Sequence, residues 1–429
     1  MKKLTALLGL SLLIFSATAF AQVSDDEIKL LRQQIEMLTK RLDTLEAQNQ
    51  QMAQTIEQSN AQSVAKTEEI VDAKVDTAVT EQVDEKMAAV SWAERIRWKG
   101  DFRYRYENID QEDKDGRNRN RIRARIHLEA DLMPTLQVGV GLATGGDDPV
   151  SSNQTIGGGG SSKDIKLDLA YFDWSGLTNS HLVGGKVKNF LIRPAKKGLM
   201  WDGDWRPEGL GFIWDNDFIF AQALGTWLVG DSKLGTEFAW AAQAGFNFKT
   251  GDFGKLKIGG GYSVFNIAGR TPLFGEPEDF YGNTFQVITH PDGTETLVFA
   301  YDYHNIEAFL EWKIGKFTLF ADYTINQDVD DNDTGYLFGA KYGSAKARGT
   351  WDITYFYERL EKDANVGLLT DSDFGGGGTN AKGHVFSGTY AFHENWNFKA
   401  TYFLNKIYLD REDPVDADRL QLDLNFKFN

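Results

Sequence analysis

The chain has 429 residues, with 46 Lys and Arg against 62 Asp and Glu for a formal net charge of -16, and it has no cysteine. The lack of thiols excludes disulfides, thiolate metal sites and cysteine nucleophiles, and the acidic balance argues against nucleic acid as a partner. Aromatics at 13%, 43 glycines and only 8 prolines favour a strand-rich body with glycine in its turns.

The N-terminus reads "MKKLTALLGLSLLIFSATAFAQ", two lysines followed by a short apolar run and the small-x-small triplet Ala19-Phe20-Ala21. Residues 1–21 are therefore expected to be a signal peptide cut after Ala21, which sends the mature chain out of the cytoplasm. Beyond the leader no run approaches the ~18 apolar residues of a membrane helix, so any membrane crossing falls to strands.

Residues 22–62 carry a helical pattern. Ser24 and Glu27 fit a capping box, and Ile28, Leu31, Ile35, Leu38, Leu42, Leu45 and Asn49 follow spacings of three and four that continue through Met52 and Ile56. This narrow seam predicts a coiled coil joining identical chains, with an amphipathic helix folded against its own domain as the alternative. Ile at a with Leu at d leans toward a dimer, while the polar Asn49 and short length leave a trimer open. Residues 63–92 keep Val71, Val75, Val79, Val83 and Met87 at helical spacing without strict heptads, a helical linker.

At Ala93 the period changes to two. "RIRWKGDFRYRY" sets Ile96, Trp98, Gly100, Phe102, Tyr104 and Tyr106 against Arg95, Arg97, Lys99, Asp101, Arg103 and Arg105, an arrangement only a strand sorts onto two faces. In "RNRNRIRARI" arginine recurs at 117, 119, 121, 123 and 125. The same grammar runs to the end of the chain and yields about sixteen strand candidates, one of them at 181–191, joined alternately by tight turns and by longer Gly- or Asp-rich loops such as "DSDFGGGGTN". The fold expected for 93–429 is an all-β transmembrane barrel of antiparallel strands, preceded by the α-helical coiled-coil segment. A soluble sandwich or propeller fits less well, because many strands approach the ~9–11 residues of a tilted membrane strand. Trp98, Trp174, Trp227, Trp312, Trp351 and Trp396 also fall near strand ends, where a girdle places them.

The segment "GGKVKNFLIRPAKKGLMWDGDWRPEGLGF" from Gly184 to Phe212 resembles the signature region of the putative-porin family of Gram-negative bacteria. The likeness is carried by Gly185, Lys186, Lys188, Asn189, Trp201, Asp202, Asp204, Pro207, Glu208 and Gly209, with Phe190 where the family commonly has proline. The resemblance implies an outer-membrane barrel that passes solutes and forms a homo-oligomer, a trimer being favoured. On charge alone the segment reads as a loop folding toward a pore. It sets Lys186, Lys188, Arg193, Lys196, Lys197 and Arg206 beside Asp202, Asp204 and Glu208, with Trp201 and Trp205 able to wedge it in place. A solvated external loop is the other reading.

If apolar residues face lipid, then Arg95, Arg97, Arg103, Arg105, Arg117, Arg119, Arg121, Arg123 and Arg125 form a basic wall inside the barrel. A wall so dense calls for carboxylates from other strands, with Glu129, Asp164 and Asp168 as candidates. It either attracts anions or braces the barrel. The acidic loops pull the other way at the mouth. His127, His181, His290, His304, His384 and His393 lack the close spacing of a zinc site, no Gly-x-Ser-x-Gly elbow occurs, and neither "DVDDNDTG" nor "GGGGSSK" meets the requirements of a calcium or phosphate loop. The expected protein is a porin rather than an enzyme, without cofactor or metal, in the outer membrane with its N-terminal helix in the periplasm. It would pass ions and small hydrophilic solutes by passive diffusion, with a preference for anions. The alternative is a structural anchor whose coiled coil tethers the barrel to the periplasm or peptidoglycan.

Overall fold

The computed structural model describes residues 95–232 and 235–428 and, near the N-terminus, 36–37, 39–41, 44 and 47–60. The signal peptide, the linker and the seam positions Ile28, Leu31, Ile35, Leu38, Leu42 and Leu45 lie outside the described residues. Residues 47–60 are helical, and Asn49, Met52 and Ile56 are all exposed on that helix.

The second body is a closed barrel of sixteen antiparallel strands: β1 Ile96–Gln111, β2 Arg117–Met133, β3 Leu136–Thr144, β4 Ile165–Trp174, β5 Ser180–Lys186, β6 Glu208–Asp215, β7 Ile219–Asp231, β8 Gly235–Lys249, β9 Lys255–Phe265, β10 Tyr303–Ile314, β11 Phe317–Asn326, β12 Thr334–Gly343, β13 Trp351–Leu360, β14 Ala381–His393, β15 Trp396–Ile407 and β16 Val415–Phe428. Each strand pairs with its sequence neighbours, and β1 pairs with β16 from Gly100↔Phe428 to Gln111↔Ala417, which leaves no open edge in the barrel. Closure satisfies every ladder within the wall, the condition a strand must meet to cross a membrane. Tight connections such as 134–135 and 315–316 gather at one rim, and the long segments 145–164, 187–207, 266–302 and 361–380 leave from the other.

Period-two alternation places one side chain in two on the outside. Ile126, Val140, Leu142, Leu210, Phe212, Phe238 and Ile306 stand exposed there, an apolar belt that only lipid solvates favourably. At the tight-turn rim Trp351 packs on Tyr342 with ring centroids 5.6 Å apart, and Trp396 stacks on Phe426 at 5.8 Å, forming part of an aromatic girdle.

The strand expected over 181–191 stops at Lys186, and the reason is local. Gly185 has φ 107, and a Cβ there would lie 2.2 Å from the Ala170 carbonyl oxygen, so only glycine turns the chain out of the wall at this height. Its register partner is Gly209, where a Cβ would meet the Gly225 carbonyl oxygen at 1.9 Å. The Val187 N–H donates to Pro207 O at 2.9 Å and closes the neck of the 187–207 loop, which turns into the barrel.

Candidate functional site

The inward faces of β1 and β2 form a ladder in which Asp101 is opposite Arg125, Arg103 opposite Arg123, Arg105 opposite Arg121 and Glu107 opposite Arg119. The nine comb arginines divide by height. Arg95 and Arg97 lie at the tight-turn rim, where Arg97 pairs with Asp131, and Arg117 is exposed at the loop rim. Only Arg103, Arg105, Arg119, Arg121, Arg123 and Arg125 form the inner wall.

Of the carboxylates expected to neutralise the comb, Glu129 meets it at the rim through Arg97, and the other two make no ion pair with it among the described residues. Glu129 accepts from Lys99 at 2.8 Å and lies 3.7 Å from Arg97, Asp168 holds Arg206 at 3.1 Å and His127 at 3.3 Å, and Asp164 is exposed in the loop before β4. The inner wall is met instead by Asp101 and Glu107 on β1 itself, by Asp423 on β16, and by Asp204 and Asp373 from two inward loops. Arg105 makes a bidentate contact with Asp423 at 2.6 and 2.9 Å and donates to Asp373 at 2.9 Å. Asp373 also accepts from Arg419 at 2.9 Å. Arg123 and Arg125 share Asp101 at 2.9 and 2.8 Å and reach Asp204 at 3.3 and 2.9 Å, while Arg119 pairs with Glu107. Asp101, Glu107 and Asp423 were visible in sequence as members of the same alternating face. Asp373 was not, because "DSDFGGGGTN" reads as a solvated loop.

The 187–207 loop crosses the interior to the far wall. Ile192 N–H donates to Gln243 Oε1 at 2.7 Å, Gln243 Nε2 returns a bond to Ile192 O at 3.1 Å, and Ala195 N–H donates to Glu311 Oε2 at 2.7 Å. Trp201 and Trp205, both buried, stack with centroids 5.3 Å apart in an apolar cluster with Met200, Leu224, Phe265 and Phe299. Of the charged residues expected in a constriction, Lys186 and Glu208 instead bridge the loop neck at 2.6 Å. Lys188 and Lys196 are exposed. Lys197 places its ammonium 4.8 Å from the Phe356 ring centroid. Arg193 lies against Gly203, where a Cβ would meet its Nη1 at 2.8 Å. Asp202, Asp204 and Arg206 cluster near the inner wall, with Arg206 3.9 Å from Asp204.

The 361–380 loop, which the sequence shows only as one of the longer Gly- or Asp-rich connections, is knitted to the first. Asp202 N–H donates to Leu369 O at 2.7 Å, Ser372 N–H to Asp202 Oδ2 at 3.0 Å, and Asn365 Nδ2 to Met200 O at 2.9 Å. Leu368, Leu369 and Phe374 are buried beneath it, which supplies the apolar driving force that the glycine run concealed. Burial, followed by the neighbouring Asp371 and Asp204, pushes the Asp202 carboxyl well above the usual carboxylate range. Burial alone would raise Asp204 too, but the Arg123 and Arg125 guanidiniums hold it below that range.

A cavity of about 480 Å³ remains between these loops, lined by Ser151, Asp168, Asp204, Trp205, Arg206 and Leu273 among others. The putative porin family matches residues 110–279 and 285–428. The chain belongs to the putative porin family. This porin shares its fold with Pseudomonas putida OprB in its high-pH structure, with 12% identity, 80% of this chain and 97% of that chain covered, and a TM-score of 0.53. Vibrio cholerae OmpT in trimer form matches at 14% identity over 78% of this chain and 99% of that one, with a TM-score of 0.47. Salmonella typhi OmpF in complex with daunomycin matches at 13% over 78% and 97%, also at 0.47. No curated protein matches the chain. The porin is an outer-membrane channel for passive diffusion.

Proposed function

We propose that the porin prefers anions and that Arg103, Arg105, Arg119, Arg121, Arg123 and Arg125 line its narrowest passage opposite two inward loops. The observation that carries this reading is the convergence of six guanidiniums on one inner wall, met among the described residues by loop acids only at Asp204 and Asp373. Fixed cations in a narrow aqueous passage between low-dielectric walls raise the local concentration of anions. Charges of the 187–207 loop, notably Arg193, Lys197 and Asp202, border the same passage. Both ends of the barrel sequence lie at the tight-turn rim, which is the periplasmic side in this reading, so the N-terminal helix belongs to the periplasm. Exposed Met52 and Ile56 on that helix continue the expected seam and suit a homo-oligomer, a trimer being favoured, or a tether to the periplasm.

Reconstitution in a planar bilayer under a KCl gradient tests the anion reading. The expected reversal potential indicates anion preference and moves toward zero when Arg119, Arg121 and Arg123 are replaced by Gln. A cation-preferring potential that these replacements leave unchanged overturns it.

A further inference from the structure

We infer that Arg103, Arg121 and Asn153 form a binding site for a small oxyanion of charge about minus two, of the phosphate or sulfate class, along the diffusion path. The site rests on the anion reading above and adds a ligand to it.

Two arginines in the wall differ from their neighbours. Arg105, Arg119, Arg123 and Arg125 each have a carboxylate within 3.3 Å. Among the described residues Arg103 has no carboxylate ion pair, and its Nη2 donates to Asn153 Oδ1. Arg121 lies 4.0 Å from Glu107, a carboxylate already engaged by Arg119, Arg105 and Gln421, and its Nη2 reaches Asn153 O at 3.4 Å. Both guanidiniums thus converge on one neutral residue. The Nε atoms of Arg103 and Arg121 are buried without any hydrogen-bond partner. A buried donor left unpaired carries its desolvation cost, and a charged one carries more.

Charge bookkeeping singles out the same pair. Adding Arg419 to the six wall arginines gives seven cations, and the carboxylates that meet them are Asp101, Glu107, Asp204, Asp373 and Asp423. Two positive charges remain, at the two arginines without a close carboxylate. The like-charged partners Arg103↔Arg123 and Arg105↔Arg121 also repel across the ladder, and a bound anion relieves that repulsion.

Asn153 is held in place. Its Nδ2 donates to Ser151 Oγ at 3.1 Å, which turns Oδ1 toward Arg103. The next residues, Gln154 and Thr155, pair with Ile122 and Arg121 on β2, so the 145–164 loop is pinned where β3 has already ended. The Arg121 side chain keeps 14% of its exposure, so it is not sealed from solvent. Two guanidinium forks present planar pairs of N–H groups, which match the oxygens of a tetrahedral or planar oxyanion and have no such match in chloride.

Titration calorimetry on the full-length protein in detergent, with inorganic phosphate, sulfate and chloride as probes, reads the site without requiring conduction. Saturable heat is expected for phosphate or sulfate and none for chloride. Arg103→Gln with Arg121→Gln should weaken binding by about tenfold or more, the loss expected for charge-assisted hydrogen bonds. Asn153→Asp offers a second route if the arginine variants fail to fold. It is isosteric, places a carboxylate between both forks, and should abolish binding while the barrel remains heat-modifiable on a gel. Binding unaffected by Asn153→Asp, or equal heat from chloride, overturns the site. In the bilayer, phosphate should reduce the chloride current saturably. An anion-preferring current that phosphate leaves unchanged, with no heat in the titration, overturns the site while sparing the anion reading. A cation-preferring current with phosphate heat intact overturns the anion reading and supports the site.

Discussion

Two walls of the same barrel hold the inward loops by opposite means. On β1, β2 and β16 the loops are fixed by ion pairs, Asp204 to Arg123 and Arg125, Asp373 to Arg105 and Arg419. From β9 to β15 the inward side chains include Phe265, Phe309, Phe320, Phe356, Val385 and Phe403, and the loops rest on them as a core element rests on a sheet. The difference bears on the proposed aqueous path. In the proposed reading the passage runs along the arginine side, where desolvating charge costs too much to close the gap completely, rather than along the apolar side, where Trp201, Leu199 and Phe374 fill the space.

The largest effect should come from breaking the charged side at its most connected member. Arg105 is almost fully buried and joins β1, β16 and the 361–380 loop through Asp423 and Asp373. Arg105→Gln leaves those carboxylates without their main counter-charge, and removal of one partner of a buried pair costs about 3–5 kcal/mol. Thermal unfolding in detergent should fall accordingly, with increased current noise from the released loop. A variant as stable as the wild type would show that the clamp is dispensable and that the apolar side alone seats the loops.

A comparable loss on the other side should leave selectivity alone. Phe356 is buried against the 187–207 loop, beneath the Lys197 ammonium, and Phe356→Ala is expected to cost about 3–5 kcal/mol. Because no wall arginine is touched, the reversal potential measured well below pH 7, where Lys197 is charged in both proteins, should stay within error of the wild type while unfolding moves to lower temperature. A selectivity shift as large as that of the arginine replacements would break the division between the two walls.

Legibility in the sequence followed the same division. The outer face could be read everywhere, since lipid imposes one apolar residue in two, and the sixteen strands stand where alternation and turn chemistry placed them except that β5 ends at Lys186 instead of 191. The inner face obeyed a simple polar rule only on β1, β2 and β16. On the other side Phe309 and Phe320 alternate with Glu307 and Asp322, and nothing local shows that loops from distant parts of the chain will cover the rings. The 187–207 loop declared itself because its charges and tryptophans are concentrated in one run. The 361–380 loop hid because glycine supplies no side chain and Leu368, Leu369 and Phe374 are too few and too scattered to give a period. Of the comb, the arginines were legible and their partners mostly were not, since a carboxylate's partner depends on register and loop path rather than spacing.

The smallest expected effect is a pH dependence at the junction of the two walls. Lys197 sits in the 187–207 loop over Phe356, and burial, followed by the proximity of Lys399, pushes its ammonium down to about 7 from 10.5, with Lys341 adding to the effect and Asp371 and Glu358 opposing it. The folded state therefore releases this proton at a lower pH than the unfolded chain does. Between about 7 and 10.5 the unfolded chain binds more protons, so this group makes stability rise with pH across that window and contributes no further change above it. Lumenal charge moves the opposite way: as pH rises through about 7 the passage loses one positive charge, and anion preference should decline. Lys197→Met removes the titrating group and keeps an apolar stem over Phe356, so the variant's reversal potential should be flat across that pH while the wild type's is not. Equal slopes in the two proteins would assign the titration to another group and leave Lys197 a packing residue of the apolar wall.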